Sequence, residues 1–152
     1  MEIKKFITED CIKILKTADQ KTTPSWGTMT FHHMVEHLTL VISISCGKKK
    51  VDIITPPEKI QRNHNFLASP MPLPKEFKAP FLPTDITLPI VHKNLDHSLG
   101  HLIQELNDFY SCFKTNPEAT FNHPIFGALN KTQWELFHQK HFTHHLGQFN
   151  LL

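Results

Sequence analysis

The chain has 152 residues, of which 39% are hydrophobic and 20% are charged, a balance typical of one globular domain with a sizeable core. Its 16 basic and 14 acidic residues give a net charge of +2, which argues against a nucleic-acid-binding surface. No apolar run approaches the roughly 20 residues of a membrane span, and the first residues lack the features of a signal peptide. We therefore expect a cytoplasmic protein that binds neither nucleic acid nor membrane.

The three cysteines are Cys11, Cys46 and Cys112, an odd number at wide spacing. This pattern predicts reduced thiols in an intracellular protein rather than a disulfide framework. A Cys–His nucleophile pair is an alternative, although a free cysteine is more often a buried apolar side chain.

Apolar periodicity predicts two helices in the first third of the chain. The first should begin at Thr8–Asp10, where a capping residue precedes acidic residues, and should run to about Asp19. The second should begin at Thr30 and end before Gly47.

Residues 48–92 differ in composition, because they contain eight of the chain's 11 prolines. Proline excludes long regular helices from most of this segment. Apolar residues such as Phe81 and Leu82 argue against a disordered linker. We predict an ordered crossover that wraps the domain, with one short helix at Glu58–His64.

The last third predicts two more helices. Asn94 or Asp96 caps the third, which ends at Asn116, and the fourth starts at Asn130–Gln133 after a turn. The chain should therefore be one all-α domain over residues 1–152, a four-helix bundle with a long Pro-rich crossover between its second and third helices.

Histidines occupy the inward stripe of the predicted C-terminal helix. His141 and His145 stand at i and i+4, so their side chains leave one face about 5–6 Å apart at Cβ, a spacing that suits one divalent metal ion. On the second helix, His37 lies close to the inward face. The pair His97 and His101 has the same spacing but faces away from its apolar stripe, so we reject it as the principal site.

His37, His141 and His145 would supply three neutral imidazoles from facing helices, as metal sites in bundles require. With an open position held by water, this is the composition of a catalytic divalent site. The alternative is that His37 is a hydrogen-bonded core residue and the other pair arises by chance, since the chain has 12 histidines.

Several motifs resemble those of the DinB-like superfamily, the DinB/YfiT-like metalloenzymes, and within it a bacterial family of unknown function. The matching segments are Trp26–Leu38, Lys78–Pro83, Asn116–Pro117, His123–Gly127, Leu129, Trp134 and His141–Phe149. The resemblance covers the chain from about Trp26 to Phe149.

This resemblance implies a four-helix bundle that binds one divalent metal ion, nickel or zinc, through three histidines. Residue by residue, the ligands correspond to His37, His141 and His145. Some members of the superfamily are thiol-dependent S-transferases that use low-molecular-weight thiols, and others act in isomerisation or hydrolysis.

The chain departs from this pattern in one respect. Many relatives carry an acidic residue three or four positions after the second-helix histidine, where this chain has Leu40 and Val41. Glu36 adjoins the ligand but points about 100° away from it on a helix. The general base would instead be a hydroxide on the metal or one of three histidines. These are His33, His123 and His138.

We therefore expect a metal-dependent transferase or hydrolase that acts on a small molecule, possessing a pocket shaped by the crossover and the His123–Gly127 turn. Trp26 and Trp134 line this pocket or belong to the core, and His138 and Gln148 orient the ligand imidazoles. A homodimer is also expected. The alternative is a non-catalytic helical bundle, for binding or stress response, with a structural metal or none.

Overall fold

The computed structural model describes residues 2–75, 77 and 89–152. This part of the chain is mostly helical and also contains a two-stranded antiparallel sheet. The elements in chain order are α1 (Ile3–Lys5), a π-helical turn (Phe6–Asp10), α2 (Cys11–Thr17), α3 (Phe31–Ser45), α4 (Pro57–Ala68), α5 (Leu95–Thr115), β1 (Phe121–His123), β2 (Gly127–Leu129) and α6 (Lys131–Gln148). No helix in the described ranges is long and apolar enough to cross a membrane.

The first helical segment begins earlier than the sequence predicts. Helical structure starts at Ile3 and continues through the π-helical turn to Thr17. Phe6 and Ile7 are buried, so the apolar face already begins before the predicted cap. The Thr8 hydroxyl donates to the Lys4 carbonyl oxygen at 2.7 Å instead of capping a helix.

The predicted start of α3 is confirmed. Thr30 is its N-cap, and the Thr30 hydroxyl oxygen accepts from the His33 backbone N–H at 3.1 Å. Gly47 follows its end with a φ of +81°, a left-handed conformation that glycine adopts without steric cost. Helix α3 packs against α5 and α6.

The crossover contains the predicted short helix in a longer form. Helix α4 spans Pro57–Ala68, because Pro57 suits the first helical turn and the pattern extends beyond His64 to the buried Leu67. Helix α4 packs against α6. The predicted buried residues Phe81 and Leu82, and the motif Lys78–Pro83, lie outside the described residues.

The all-α prediction missed a β-hairpin. Strands β1 and β2 pair antiparallel, with Asn122 opposite Ala128. Helix α4 and the residues before it hold the connecting turn: the backbone N–H of Ile54 donates to the Pro124 carbonyl oxygen at 2.8 Å, and Asn63 donates to that of Ile125 at 2.8 Å. These long-range bonds stabilise strands of only three residues each.

Both remaining helices begin at asparagine. Of the two caps predicted for α5, the structure uses Asn94, whose side-chain oxygen accepts from the Asp96 backbone N–H at 2.7 Å. Asn130 and Gln133 form a capping box at the start of α6, each side chain bonding the other's backbone N–H. The box satisfies backbone N–H groups at the N-terminus of α6 and so fixes where the helix begins.

Candidate metal centre

Helices α3 and α6 bring three imidazoles together. The Nε2 atom of His141 lies 2.9 Å from that of His37 and 3.0 Å from that of His145. One ring nitrogen from each of the three lies within 4.8 Å of the others, and in the described part of the chain no other three or more His, Cys, Asp or Glu side chains come together in this way. Three buried histidines therefore lie close enough to hold a metal ion.

Burial keeps these imidazoles neutral. Their exposed fractions are 9% for His37, 4% for His141 and 7% for His145. Desolvation lowers the pKa of His37 to about 4. It also places the pKa values of His141 and His145 well below the usual range, and the neighbouring histidines lower them further. At neutral pH each ring therefore offers one lone pair.

The protonation state of His145 follows from its neighbours. Gln148 donates its side-chain N–H to the Trp26 carbonyl oxygen at 2.8 Å, so the amide oxygen of Gln148 faces His145. That oxygen lies 2.8 Å from Nδ1 of His145 and requires a donor there. Nδ1 therefore carries the proton, and Nε2 of His145 presents its lone pair to His141.

The distribution of protons among the three rings favours a bound cation. With a lone pair on Nε2 of His145, the short contacts depend on which other ring carries a proton on Nε2. A proton on His37 leaves two lone pairs facing each other between His141 and His145, which is repulsive, whereas a proton on His141 must be divided between two acceptors in a three-centre bond. Nδ1 of His37 and of His141 are buried without a hydrogen-bond partner in the described residues, so no hydrogen bond at Nδ1 holds either ring in one tautomer. A cation would accept all three lone pairs at once.

The separations also agree with one shared ion. Zinc–nitrogen distances are about 2.0–2.1 Å, so two nitrogens on one zinc ion can be at most about 4.2 Å apart. Both contacts of His141 are shorter than this limit, and all three ring nitrogens lie within 4.8 Å of one another, close enough for small side-chain movements to bring them onto one ion. The residues present therefore fit the divalent ion that the resemblance implies.

His138 and His123 are buried beside the trio and serve the core. The Ser45 hydroxyl donates to the Ile42 carbonyl oxygen at 2.6 Å, so it accepts from Nε2–H of His138 at 2.9 Å. Nδ1 of His123 accepts the backbone N–H of Ile125 at 3.0 Å. Burial lowers the pKa of each of these two histidines to about 3.

Sequence reasoning did not find Ser45. Its position on the buried side of α3 was a signal, because a hydroxyl in an apolar stripe requires a partner. The partner itself lies 93 positions away along the chain, which no local pattern specifies.

The remaining predicted residues differ in their surroundings. Nδ1 of His33 lies 2.7 Å from the Thr30 hydroxyl oxygen at the start of α3. Trp26 is half-buried and contacts His144 edge-on, with ring centroids 5.8 Å apart. Trp134 is fully buried and donates from its indole N–H to the Phe121 carbonyl oxygen at 3.1 Å. Trp134 is therefore a core residue.

The rejected pair lies on the surface, as predicted. His97 and His101 are exposed, and His101 bonds His92 at 3.2 Å and Glu105 at 3.1 Å. His32 is half-buried, and its Nε2 lies 2.8 Å from the Ser98 hydroxyl oxygen.

Only part of the predicted pocket lies in the described residues, because residues 76 and 78–88 of the crossover fall outside them. In the His123–Gly127 turn, His123 and Phe126 are 1% and 3% exposed, since helix α4 covers it. A cavity of about 530 Å³ lies elsewhere, at the loop before α3. Its lining consists of residues 20–24 and 27–31 and includes none of the three clustered histidines.

Comparison with known proteins gives one similarity. A family model described as "Protein of unknown function (DUF1569)" matches residues 82–151, a little under half of the chain, and includes His141 and His145 but not His37. Neither the curated proteins nor the solved structures contain a match to the chain. The match agrees with the resemblance to a family of unknown function, whereas membership of the DinB-like superfamily stays a prediction.

Proposed function

We propose that this chain is a metal-dependent enzyme of the DinB-like type, with one divalent ion held by His37, His141 and His145. The observation that carries the proposal is the convergence of three buried, neutral imidazoles, in which Nε2 of His141 lies 2.9 Å from that of His37 and 3.0 Å from that of His145. The packing of α3 against α5 and α6, and of α2 against α5, supports a four-helix bundle formed by α2, α3, α5 and α6.

The proposed chemistry is thiol transfer to, or hydrolysis of, a small molecule. A divalent ion at this site supplies Lewis acidity. Three neutral ligands leave the ion's positive charge uncompensated, and no carboxylate joins the cluster among the described residues. This favours an anionic substrate group such as a thiolate. Nickel and zinc both accept imidazole ligands, so both belong to the proposal.

The three histidines predicted as general bases differ in their access to solvent. His123 and His138 each use one ring nitrogen in a structural hydrogen bond and are 1% and 0% exposed, so neither has direct access to a substrate in solution. His33 is half-buried at the start of α3. Of the three predicted candidates, the structure therefore favours His33.

Burial of the ligands favours a second candidate function. Exposed fractions of 4–9% suit a closed structural site, in which the metal would contribute to folding and the protein would bind a partner without catalysis. For either function we propose a reducing, cytoplasmic location, because all three cysteines are free. A homodimer stays an expectation.

Metal content tests the site. Wild type and the variants His37→Ala, His141→Ala and His145→Ala are loaded with zinc or nickel, dialysed and analysed, with His97→Ala as a control that removes an exposed histidine. We expect about one metal ion per chain in wild type and control and loss in the three site variants. Retention by all three variants, or no metal in wild type with either ion, contradicts the proposal.

Turnover then separates the two functions. Loaded and chelated wild-type protein is assayed for transfer of low-molecular-weight thiols to electrophiles and for ester hydrolysis. Turnover that requires both the metal and His141 supports the enzyme. If the metal is bound stoichiometrically and raises the unfolding temperature without any turnover, the structural function is the better account.

A further inference from the structure

The end of α6 is fastened to the loop at residues 25–27 by a set of hydrogen bonds. The Ser25 backbone N–H donates to the Gln148 carbonyl oxygen at 2.7 Å, and Asn150 donates to the Ser25 hydroxyl oxygen at 2.6 Å. Between these bonds, the Gln148 side chain reaches the Trp26 carbonyl oxygen at 2.8 Å. The loop therefore contacts α6 one turn after His145.

This attachment leaves the Gln148 amide one orientation. A backbone carbonyl accepts but cannot donate, so Trp26 requires the amide N–H₂ on its side. The amide oxygen must then face His145, and only an imidazole with its proton on Nδ1 can bond it at 2.8 Å. Gln148 is 6% exposed, so water competes weakly for either contact.

Gly27 makes this arrangement sterically feasible. Its φ is +79°, and a Cβ at this position would lie 2.9 Å from the Gln148 side-chain nitrogen, closer than real Cβ contacts allow. Any larger residue at position 27 must displace either the loop or the amide. Gly147 is next to Gln148 in the chain, but a Cβ added there would have no heavy atom within 4 Å. A side chain at position 27 would therefore clash with the Gln148 amide, whereas one at position 147 would not.

We infer that Gly27 and Gln148 form a tautomer lock, which holds the His145 proton on Nδ1 and directs its Nε2 lone pair toward His37 and His141. Gln148 is thus a positioning residue that acts through His145, and the Trp26–Gly27 backbone determines its orientation. The expected effect of Gln148 on metal affinity rests on the proposed function. The effect of Gln148 on the His145 tautomer does not.

The lock predicts which changes alter the tautomer. Gln148→Ala removes the acceptor of the Nδ1 proton, and Gly27→Ala displaces the amide from the other side without touching His145. Both should raise the fraction of the Nε2–H tautomer, which blocks the lone pair needed by a metal. Loss of such an outer partner typically weakens metal binding about 10–100-fold. Gly147→Ala, which adds the same methyl group beside Gln148, should change neither quantity.

Nitrogen-15 NMR of the metal-free full chain, at a pH above the usual histidine range, measures the tautomer of His145 directly. Zinc affinity is measured separately by competition with a chromophoric chelator. We expect a single Nδ1–H form in wild type and Gly147→Ala, and a mixture in Gln148→Ala and Gly27→Ala. If Gln148→Ala does not fold by circular dichroism, Gln148→Met, which keeps the side-chain length without the amide, replaces it.

An unchanged Nδ1–H tautomer in the folded variants overturns the inference, as does an Nε2–H form in wild type. The outcomes also separate the two proposals. If wild type has the Nδ1–H form but does not bind zinc, the tautomer lock is supported and the proposed metal site is not. If zinc binding needs all three histidines but the His145 tautomer does not change in the Gln148 and Gly27 variants, the metal site is supported and the tautomer lock is wrong.

Discussion

At the scale of single residues, His123 makes the stability of the protein depend on pH. Its pKa is lowered from 6.5 to about 3 by burial, so the folded state keeps the ring neutral while the unfolded chain takes up a proton below about pH 6.5. The free energy of unfolding must therefore fall as the pH decreases from about 6.5 to about 3, by up to about 1.4 kcal/mol per pH unit.

Replacing this ring tests that contribution. His123→Asn keeps a side-chain oxygen that can accept the backbone N–H groups of the turn and has no titrating group. Urea unfolding of the metal-free protein between about pH 6 and pH 4 should show a slope shallower by about 1 kcal/mol per pH unit than wild type. His97→Asn, at an exposed position, should keep the wild-type slope. Equal slopes for His123→Asn and wild type would contradict this account.

Single-residue properties were partly predictable from the sequence. The helical period predicted that His138, His141 and His145 share a buried face, because that period depends only on spacing along one helix. It could not predict that Gln148 meets Trp26, since their bond joins positions 122 apart. The need for glycine at position 27 follows from this bond, so the sequence alone could not predict it either.

At the scale of elements, Glu36 ties α3 to the residues that lead into α5. Its carboxylate accepts the backbone N–H groups of Val91 at 2.7 Å and His92 at 2.9 Å and the Ser98 hydroxyl at 2.8 Å. Burial raises the pKa of Glu36, but these hydrogen bonds outweigh burial, so the pKa lies below its usual range. The carboxylate thus stabilises the return of the chain after the crossover.

Glu36→Gln should weaken this connection. A glutamine has one oxygen in place of two and cannot accept all three donors, so at least one hydrogen bond to the protein is lost, at a cost of about 0.5–1.5 kcal/mol. We expect a fall of that size in the free energy of unfolding by urea at neutral pH. Glu58→Gln, at an exposed position of α4, should change it by less than about 0.5 kcal/mol. The account is wrong if the two variants are equally stable.

Elements with strong local signals were predicted best. Thr30, Asn94 and Asn130 all cap helices in the structure, because a cap depends on residues within one turn. The hairpin was missed, since its short strands depend on α4 and on residues far apart in sequence. The start of the first helix was wrong because Thr8 has the composition of a cap but bonds within the helix.

At the scale of the whole molecule, α3 and α6, which are far apart in the sequence but pack together, build one proposed metal site. His37 and His141 are 104 positions apart, and local periodicity predicted only that each faces inward. The expected bundle suggested that the two faces meet, and the resemblance to a known family implied the same three ligands. The structure adds the distances, the burial and the hydrogen bonds that make the association testable.

The most direct measurement is anomalous diffraction from crystals of the zinc-loaded protein, recorded at the zinc absorption edge. The account predicts one dominant peak, about 2.0–2.1 Å from the Nε2 atoms of His37, His141 and His145. The surface pair His92 and His101, whose ring nitrogens lie 3.2 Å apart, is an internal control for adventitious binding. A dominant peak at that pair, or no peak among the three buried histidines at full zinc loading, would contradict the account.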